Sequence, residues 1–203
     1  MTFEHAQLSE DDDNVLIAIL DETYFDGAPE ENWEARRDAF RQTVEAESGL
    51  SFTDADIGPG ASLPAFATVI AALALPASAT FAVLIAGKPI KEGVDGWLEL
   101  AGTLRKLFQR QVYLNRNGAS ALAIEAIVKE HRKLTRSITL IGYQPQHVMD
   151  PDDLAALDPL TEIADAPGTI YLGALRHIFE FDVDGHIYRV SVEGRTVKTL
   201  RVA

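Results

Sequence analysis

An uncharged segment at residues 66–87 constrains the fold of this chain more than any other feature of its sequence. The segment is long enough to cross a bilayer, and Lys88 and Lys91 follow it at one edge. Alanine is abundant in it, however, and its larger apolar side chains contribute only about −3 to −5 kcal/mol to membrane insertion. Two interpretations therefore stay open for residues 66–87: a buried core segment, or a membrane span or inserting hairpin.

Pro76 divides this segment near its middle. A proline inside a helix costs about 3 kcal/mol, because it removes a hydrogen bond and clashes with the preceding turn. We therefore expect two shorter pieces, a buried helix at residues 63–75 and a second apolar piece at residues 80–86. The working prediction is an aqueous fold with an alanine-rich buried segment, and membrane insertion is the alternative.

The overall composition is that of a globular protein. With 203 residues, of which 47% are hydrophobic and 24% charged, the chain suits one or two small domains. The formal net charge is −13, and lysine and arginine form no clear basic stripe. This charge argues against nucleic acid and anionic lipid as main partners. It favours either a basic protein partner or plain solubility.

The chain contains no cysteine, which excludes disulfide bonds, thiolate metal sites and a cysteine nucleophile. Its N-terminal residues are acidic where a secretory signal would carry a basic region followed by an apolar run. We therefore expect a cytoplasmic protein, with membrane association as the alternative.

The N-terminal region is predicted to be helical. Ser9 precedes four acidic residues at 10–13, and a cap residue followed by negative charge favours the start of a helix. This pattern predicts a helix at residues 10–25. The rival is a strand at residues 15–20, because the six adjacent apolar residues VLIAIL do not reveal their period. We interpret the acidic run as a solvated first turn, rather than as a cation site or a contact for a basic partner.

Two amphipathic helices follow from apolar residues at helical spacing. The first lies at residues 31–47 and has its larger side chains at Trp33, Arg37, Phe40 and Val44. Between the two helices, residues 51–64 indicate a short strand or an extended loop. The second helix lies at residues 96–111 and places Trp97, Leu104 and Phe108 on one face. These three residues are the candidate interaction site, either as part of the core or as a docking face.

The remainder of the chain mixes helix and strand. A strand is predicted at residues 112–115, a helix at 117–134 and a strand at 137–144. Residues 146–168 combine prolines with aspartates in DPDD, LDP and APG, and this pattern indicates a linker between subdomains.

The residues beyond the linker, 169–203, predict an antiparallel meander. Its hairpin turns fall at Asp184-Gly185 and Glu193-Gly194. The predicted fold is therefore α+β, with a mixed, mainly helical region at 1–145 that has a few strands, a linker at 146–168 and the C-terminal meander.

The sequence lacks the common nucleotide-binding, hydrolase and zinc-protease motifs. His177, Glu180 and His186 are weak candidates for a metal site, because residues on neighbouring strands lie within ligand reach. Their spacing matches no known signature, so we expect no catalytic residue, no cofactor and no bound metal. The aspartates at 182–185 predict a hairpin turn rather than a calcium loop. His131 is expected to be a packing residue rather than an acid–base partner of Glu130.

Residues 56–125 contain GPGASLP, then the apolar segment, then GKPIKEGVDGWLELAGTLRKLF and LNRNGASALAIEAI. This run loosely resembles bacterial effector-associated proteins, which are small accessory components of conflict and defence loci. The resemblance implies a non-enzymatic adaptor and no catalytic residues. Together with the acidic charge, it predicts a bacterial interaction protein that binds a protein partner. The alternatives are a membrane-inserting or membrane-tethered effector and a metal-dependent enzyme.

Overall fold

The computed structural model describes residues 15, 17–19, 33–49, 52, 68–70, 94–131, 137–164 and 173–202. Within these ranges the chain is α+β, with three helices and two antiparallel sheets. In chain order the elements are β1 (Ile17–Ile19), α1 (Trp33–Ser48), β2 (Thr68–Ile70), α2 (Val94–Lys106), β3 (Val112–Leu114), α3 (Arg116–His131), β4 (Ile138–His147), β5 (Leu175–Val183), β6 (His186–Glu193) and β7 (Thr196–Arg201).

The first sheet has three short strands in the order β2-β1-β3. All three residues of β1 are fully buried, which fits a short apolar run inside a sheet rather than one face of a helix. The helix predicted at residues 10–25 is therefore wrong at 17–19, and the rival strand is confirmed there.

The strand β2 corrects a second expectation. Residues 68–70 pair antiparallel with β1, so the buried helix predicted at 63–75 is wrong at these positions. Apart from Val15, the rest of the predicted first helix lies outside the described residues, as do the rest of the uncharged segment and nearly all of residues 51–64. Among the helices that the structure describes, none has both the length and the apolar character that a membrane crossing requires.

The helix at α1 is confirmed at nearly its predicted bounds. Val44 and Ser48 face the core and Phe40 packs partly against it, while most of the other described side chains are at least partly exposed. The helix ends at Gly49, whose φ of 74° and hydrogen bond from its N–H to the Glu45 carbonyl form a left-handed cap.

The helix α2 is also confirmed, although it stops at Lys106 rather than continuing to residue 111. A turn follows in which the Leu107 N–H donates to the Leu104 carbonyl at 3.0 Å. Arg105 and Lys106 occupy the last helical turn, where positive charge is favourable.

The helix α3 lies at the centre of the fold. Asn115 caps it, since its side-chain oxygen accepts a hydrogen bond from the Gly118 N–H at 3.0 Å. Residues 118–125 are buried without interruption, because the helix contacts α2 as well as strands of both sheets. Arg105 and Lys129 hold the buried Glu125 carboxylate. Burial tends to raise the pKa of Glu125, but these two bonds lower it below its usual value.

The second sheet has four antiparallel strands in the order β4-β5-β6-β7. The C-terminal meander is therefore confirmed, and β4 extends it by one strand. Asp184 and Gly185 both have positive φ, as the tight turn between β5 and β6 requires. Gly194 has φ 53° in the turn between β6 and β7. Phe179, Phe181 and Val190 are fully buried in the main core cluster.

Residues 148–164, which form most of the predicted linker, pack against the second sheet. The Tyr143 N–H donates to the Glu162 carbonyl, and the Ala164 N–H donates to the Tyr143 carbonyl, each at 2.9 Å. Gly142 permits this close contact, because a Cβ atom there would lie 2.5 Å from the Leu160 carbonyl oxygen. The subdomain boundary stays a prediction, but β4 before the segment pairs along its length with β5 after it.

Candidate functional site

The three weak metal candidates lie on two adjacent strands. His177 and Glu180 are three residues apart on β5, so their side chains leave opposite faces of the sheet. His186 begins β6 and pairs with Val183 at the far end of the strand. No group of three side chains that could hold a metal ion occurs in the part of the chain that the structure describes. The three candidates are close in sequence, but the structure does not bring them together in one metal site.

His177 instead joins the two sheets. Its Nε2 lies 2.9 Å from the Leu114 carbonyl oxygen on β3, and its Nδ1 lies 3.0 Å from the Tyr143 hydroxyl. A carbonyl only accepts, so Nε2 carries the proton and Nδ1 accepts from the Tyr143 O–H. Burial lowers the pKa of His177 to about 4, and the backbone bond to Leu114 opposes this only in part. Burial likewise raises the pKa of Tyr143, which keeps its hydroxyl a donor.

Glu180 forms a buried ion pair on the other face of the sheet. The Arg189 Nε and Nη2 atoms donate to one oxygen of the Glu180 carboxylate at 3.0 and 2.7 Å. Both side chains are almost inaccessible to water, at 2% for Arg189 and 5% for Glu180. A pair this deeply buried depends on every charged group keeping its partner.

Arg189 also fixes the segment that covers it. Its Nη1 donates to the Leu154 and Leu157 carbonyls at 2.7 and 2.8 Å, and its Nη2 donates to the Asp158 carbonyl at 3.1 Å. A single guanidinium therefore holds three backbone carbonyls together with the Glu180 carboxylate.

Arg176 holds the start of the same segment. Its guanidinium donates to the carbonyls of Val148 and Asp150 at 3.1 and 3.0 Å, and it also pairs with Glu193. Residues 148–164 are therefore hydrogen-bonded to the sheet at several positions along their length. We call these residues the acidic loop.

The acidic loop carries five carboxylates and no lysine or arginine: Asp150, Asp152, Asp153, Asp158 and Glu162. Asp152 is tied to the sheet by ion pairs with Lys198 and Arg176. Asp153, Asp158 and Glu162 are exposed, and beside them Met149 is 83% exposed. The loop therefore presents a negatively charged surface in a fixed conformation.

A polar cluster surrounds the C-terminal end of α3. His131 is buried, with its Nδ1 atom 3.0 Å from the Tyr188 hydroxyl and its Nε2 atom 3.7 Å from the Asp184 carboxylate. Glu130 is exposed. The structure therefore places His131 in a packed contact with β6, as the sequence predicts.

The aspartates at 182–185 form the predicted turn. The Asp182 carboxylate accepts from the Gly185 N–H at 2.8 Å, and Asp184 accepts from the Ser137 N–H at 2.9 Å. Both carboxylates thus bind backbone within this hairpin and its neighbour.

The candidate interaction residues, two on α2 and one in the turn that follows it, pack against the core. Trp97 and Leu104 are buried, and Phe108 packs partly against the same cluster. Of the two roles considered for this face, the structure shows packing against the interior.

A cavity of about 530 Å³ lies between β3 and the turn that joins β6 to β7. Tyr113 and Arg195 are among its lining residues. Burial raises the pKa of Tyr113, with a hydrogen bond to Gln111 opposing it, so the hydroxyl stays protonated. Arg195 donates to the Phe108 carbonyl at 3.1 Å. Hydrogen-bond donors therefore lie among the groups that line this cavity.

Comparison with known proteins finds no matching family model, no matching curated protein and no matching solved structure. The resemblance of residues 56–125 to effector-associated proteins therefore stays a prediction.

Sequence reasoning missed Arg189 and Arg176, which organise the acidic loop. Their position on the strands could have indicated a buried role. Arg189 lies between the buried Tyr188 and Val190, and the buried His177 follows Arg176. A charge among residues that are buried on both faces of a sheet indicates a buried partner.

Proposed function

We propose that this chain is a non-enzymatic interaction protein, an adaptor that binds a basic protein partner through the acidic loop. The supporting observation is the anchoring of that loop by Arg189, which bonds three of its carbonyls. A surface that is already fixed before binding loses less conformational entropy when the partner arrives. Cytoplasmic location and a role in a bacterial conflict or defence system belong to the same proposal.

Electrostatics support the choice of a basic partner. The loop contributes five of the carboxylates of a chain whose net charge is −13, so its field attracts positive surfaces over a distance of several ångströms. Contacts of this kind mainly raise the rate of association and set the orientation of the partner. The exposed Met149 beside the carboxylates adds a flexible apolar contact.

The test uses a triple variant, Asp153→Asn, Asp158→Asn and Glu162→Gln, which removes three exposed charges of the loop. It leaves in place Asp150, which accepts from the His147 N–H, and the ion-paired Asp152. Partners are captured from native extract with the wild-type chain, and the purified complex is measured by calorimetry. We expect the triple variant to bind about tenfold more weakly, since exposed charges contribute about 0.5 kcal/mol each. The melting temperature should stay within a few degrees of the wild-type value.

A matched control carries the same change in net charge on the helices, as Asp95→Asn, Glu99→Gln and Glu130→Gln, all of which are exposed positions. We expect the control to keep wild-type affinity. If both variants lost affinity equally, the loss would come from overall net charge, and this result would contradict a role for the loop. The adaptor proposal itself fails if the wild-type chain captures no partner and instead turns over a metabolite in an activity screen.

A further inference from the structure

The two edge strands of the second sheet, β4 and β7, differ in whether their outward backbone groups are already bonded. Those of β4 cannot pair with a further strand. Tyr143 bonds to the acidic loop through both its N–H and its carbonyl. Two residues further along, Pro145 has no N–H to offer, and the His147 N–H donates to the Asp150 carboxylate at 3.1 Å. The outward backbone donors at these three positions are therefore either bonded or missing, which prevents another strand from pairing there.

The edge at β7 is not closed in this way. The Val202 N–H donates to the Ile187 carbonyl at 2.8 Å, which fixes the alternation of hydrogen bonds between β6 and β7. By that alternation, the backbone groups of Val197, Thr199 and Arg201 point away from the sheet. Within the described part of the chain, no hydrogen bond reaches these outward groups. The edge thus offers a row of donors and acceptors at regular spacing.

The charge along this edge is locally positive. Residues 194–202 contain Arg195, Lys198 and Arg201 and no acidic residue, in a chain with 31 acidic and 18 basic residues. Lys198 is already paired with Asp152, so the cations left to face a new strand are Arg195 and Arg201. Arg201 is exposed, and its guanidinium lies 2.9 Å from the Nδ1 atom of His186. Antiparallel pairing of β7 with a second copy would bring these cations of both chains together, which is unfavourable. The same cations favour a strand that carries carboxylates.

We propose that β7 is a docking edge for an extended acidic segment of a partner protein, which adds to the sheet as a fifth strand. The backbone of the segment bonds to Val197, Thr199 and Arg201, and a carboxylate of the segment faces the Arg201 guanidinium. Strand addition of this kind takes its affinity from backbone bonds and its selectivity from side chains. Lys198 on β7 pairs with Asp152 of the acidic loop, but the outward backbone groups and Arg201 lie outside that loop, so the inference does not depend on the basic partner proposed above.

The probes are a short blocked peptide of alternating threonine and glutamate and its counterpart with lysine in place of glutamate. Binding to the full chain is followed by fluorescence anisotropy, and backbone protection by hydrogen exchange resolved to single amides. We expect the glutamate peptide to bind and to slow exchange at the Val197, Thr199 and Arg201 amides. The lysine peptide should bind at least tenfold more weakly.

Two variants test the geometry and the charge separately. Thr199→Pro removes one outward N–H without removing a bond to β6, and proline is tolerated at such edge positions. We expect at least a tenfold loss of affinity for the glutamate peptide. Arg201→Glu, an exposed change that keeps the test valid if the proline variant fails to fold, should weaken binding of the glutamate peptide and remove most of its advantage over the lysine peptide. Lys106→Glu is the charge-matched control on α2 and should bind as the wild type does.

The inference is overturned if neither peptide binds, if both bind equally, or if Lys106→Glu weakens binding as much as Arg201→Glu does. It is also overturned if sedimentation shows a dimer of the wild-type chain that Thr199→Pro dissociates, because the edge would then be occupied by a second copy. The triple variant Asp153→Asn, Asp158→Asn and Glu162→Gln should bind the glutamate peptide at least as well as the wild type does. A failure of the acidic loop to bind a basic partner can therefore be distinguished from a failure of β7 to bind an acidic strand.

Discussion

Replacing Arg189 by methionine is expected to lower the free energy of unfolding by about 3–5 kcal/mol, because it leaves a buried carboxylate without its counter-charge. The remaining bond to the Glu180 carboxylate, from the Leu160 N–H at 3.3 Å, is too weak to compensate. Three carbonyls of the acidic loop lose their donor as well. Denaturant unfolding followed by circular dichroism measures the loss.

A double-mutant cycle separates the ion pair from the packing of the site. The variant with both Arg189→Met and Glu180→Met removes the two charges together, and it should recover a large part of the stability lost by Arg189→Met alone. A single variant that loses less than about 1 kcal/mol would show that this pair does not hold the loop. Other contacts would then have to hold the acidic loop in place.

Acidification from pH 6.5 to pH 4 is expected to cost the folded protein about 3 kcal/mol through His177 alone. The folded chain keeps this imidazole neutral until its pKa of about 4, whereas the unfolded chain takes up a proton near the ordinary value of 6.5. In that window the unfolded state binds more protons, so stability falls as pH falls. The contribution is complete above pH 6.5 and is lost toward pH 4.

The control for this prediction is His177→Gln, which cannot titrate. A glutamine amide can donate to the Leu114 carbonyl and accept from the Tyr143 hydroxyl, as the histidine does. Unfolding free energies measured at several pH values should therefore fall less steeply for the variant than for the wild type as the pH drops from about 6.5 to about 5. Parallel curves for the two proteins would contradict the assignment of His177 as a neutral link between the sheets.

Amphipathic helices and hairpins could be predicted because their signals are local. Val44 on α1 and Trp97 on α2 lie at helical intervals from other apolar residues, and both are buried as that spacing requires. Asp184-Gly185 adopts the positive φ values that this dipeptide favours. In each case a stretch of fewer than about 18 residues contains all the information that the prediction uses.

The strand predicted at residues 112–115 is confirmed as β3, but the pairing within the first sheet could not be predicted because its strands are short and far apart in sequence. Ile17, Thr68 and Val112 belong to neighbouring strands, but each strand has only three residues, which is too short to show alternation. Tertiary pairing therefore overrides the apparent helix signals around β1 and β2.

The buried polar contacts of Glu180, Arg189 and His177 could not be predicted from the sequence for a related reason. Glu180 and Arg189 meet because the register of β5 and β6 places them directly opposite each other. His177 reaches the Leu114 carbonyl across 63 residues of chain. Such contacts depend on strand register and on how two sheets approach, and neither is encoded by spacing along the chain.

The central claim, that the acidic loop is the surface bound by a basic partner, is tested most directly by zero-length cross-linking. A carbodiimide joins a carboxylate to a lysine amine only when the two are in contact, and mass spectrometry of the digested complex identifies both residues. We expect links from Asp153, Asp158 or Glu162 to lysines of the partner. Links confined to helix carboxylates such as Glu99 and Glu130 would contradict it.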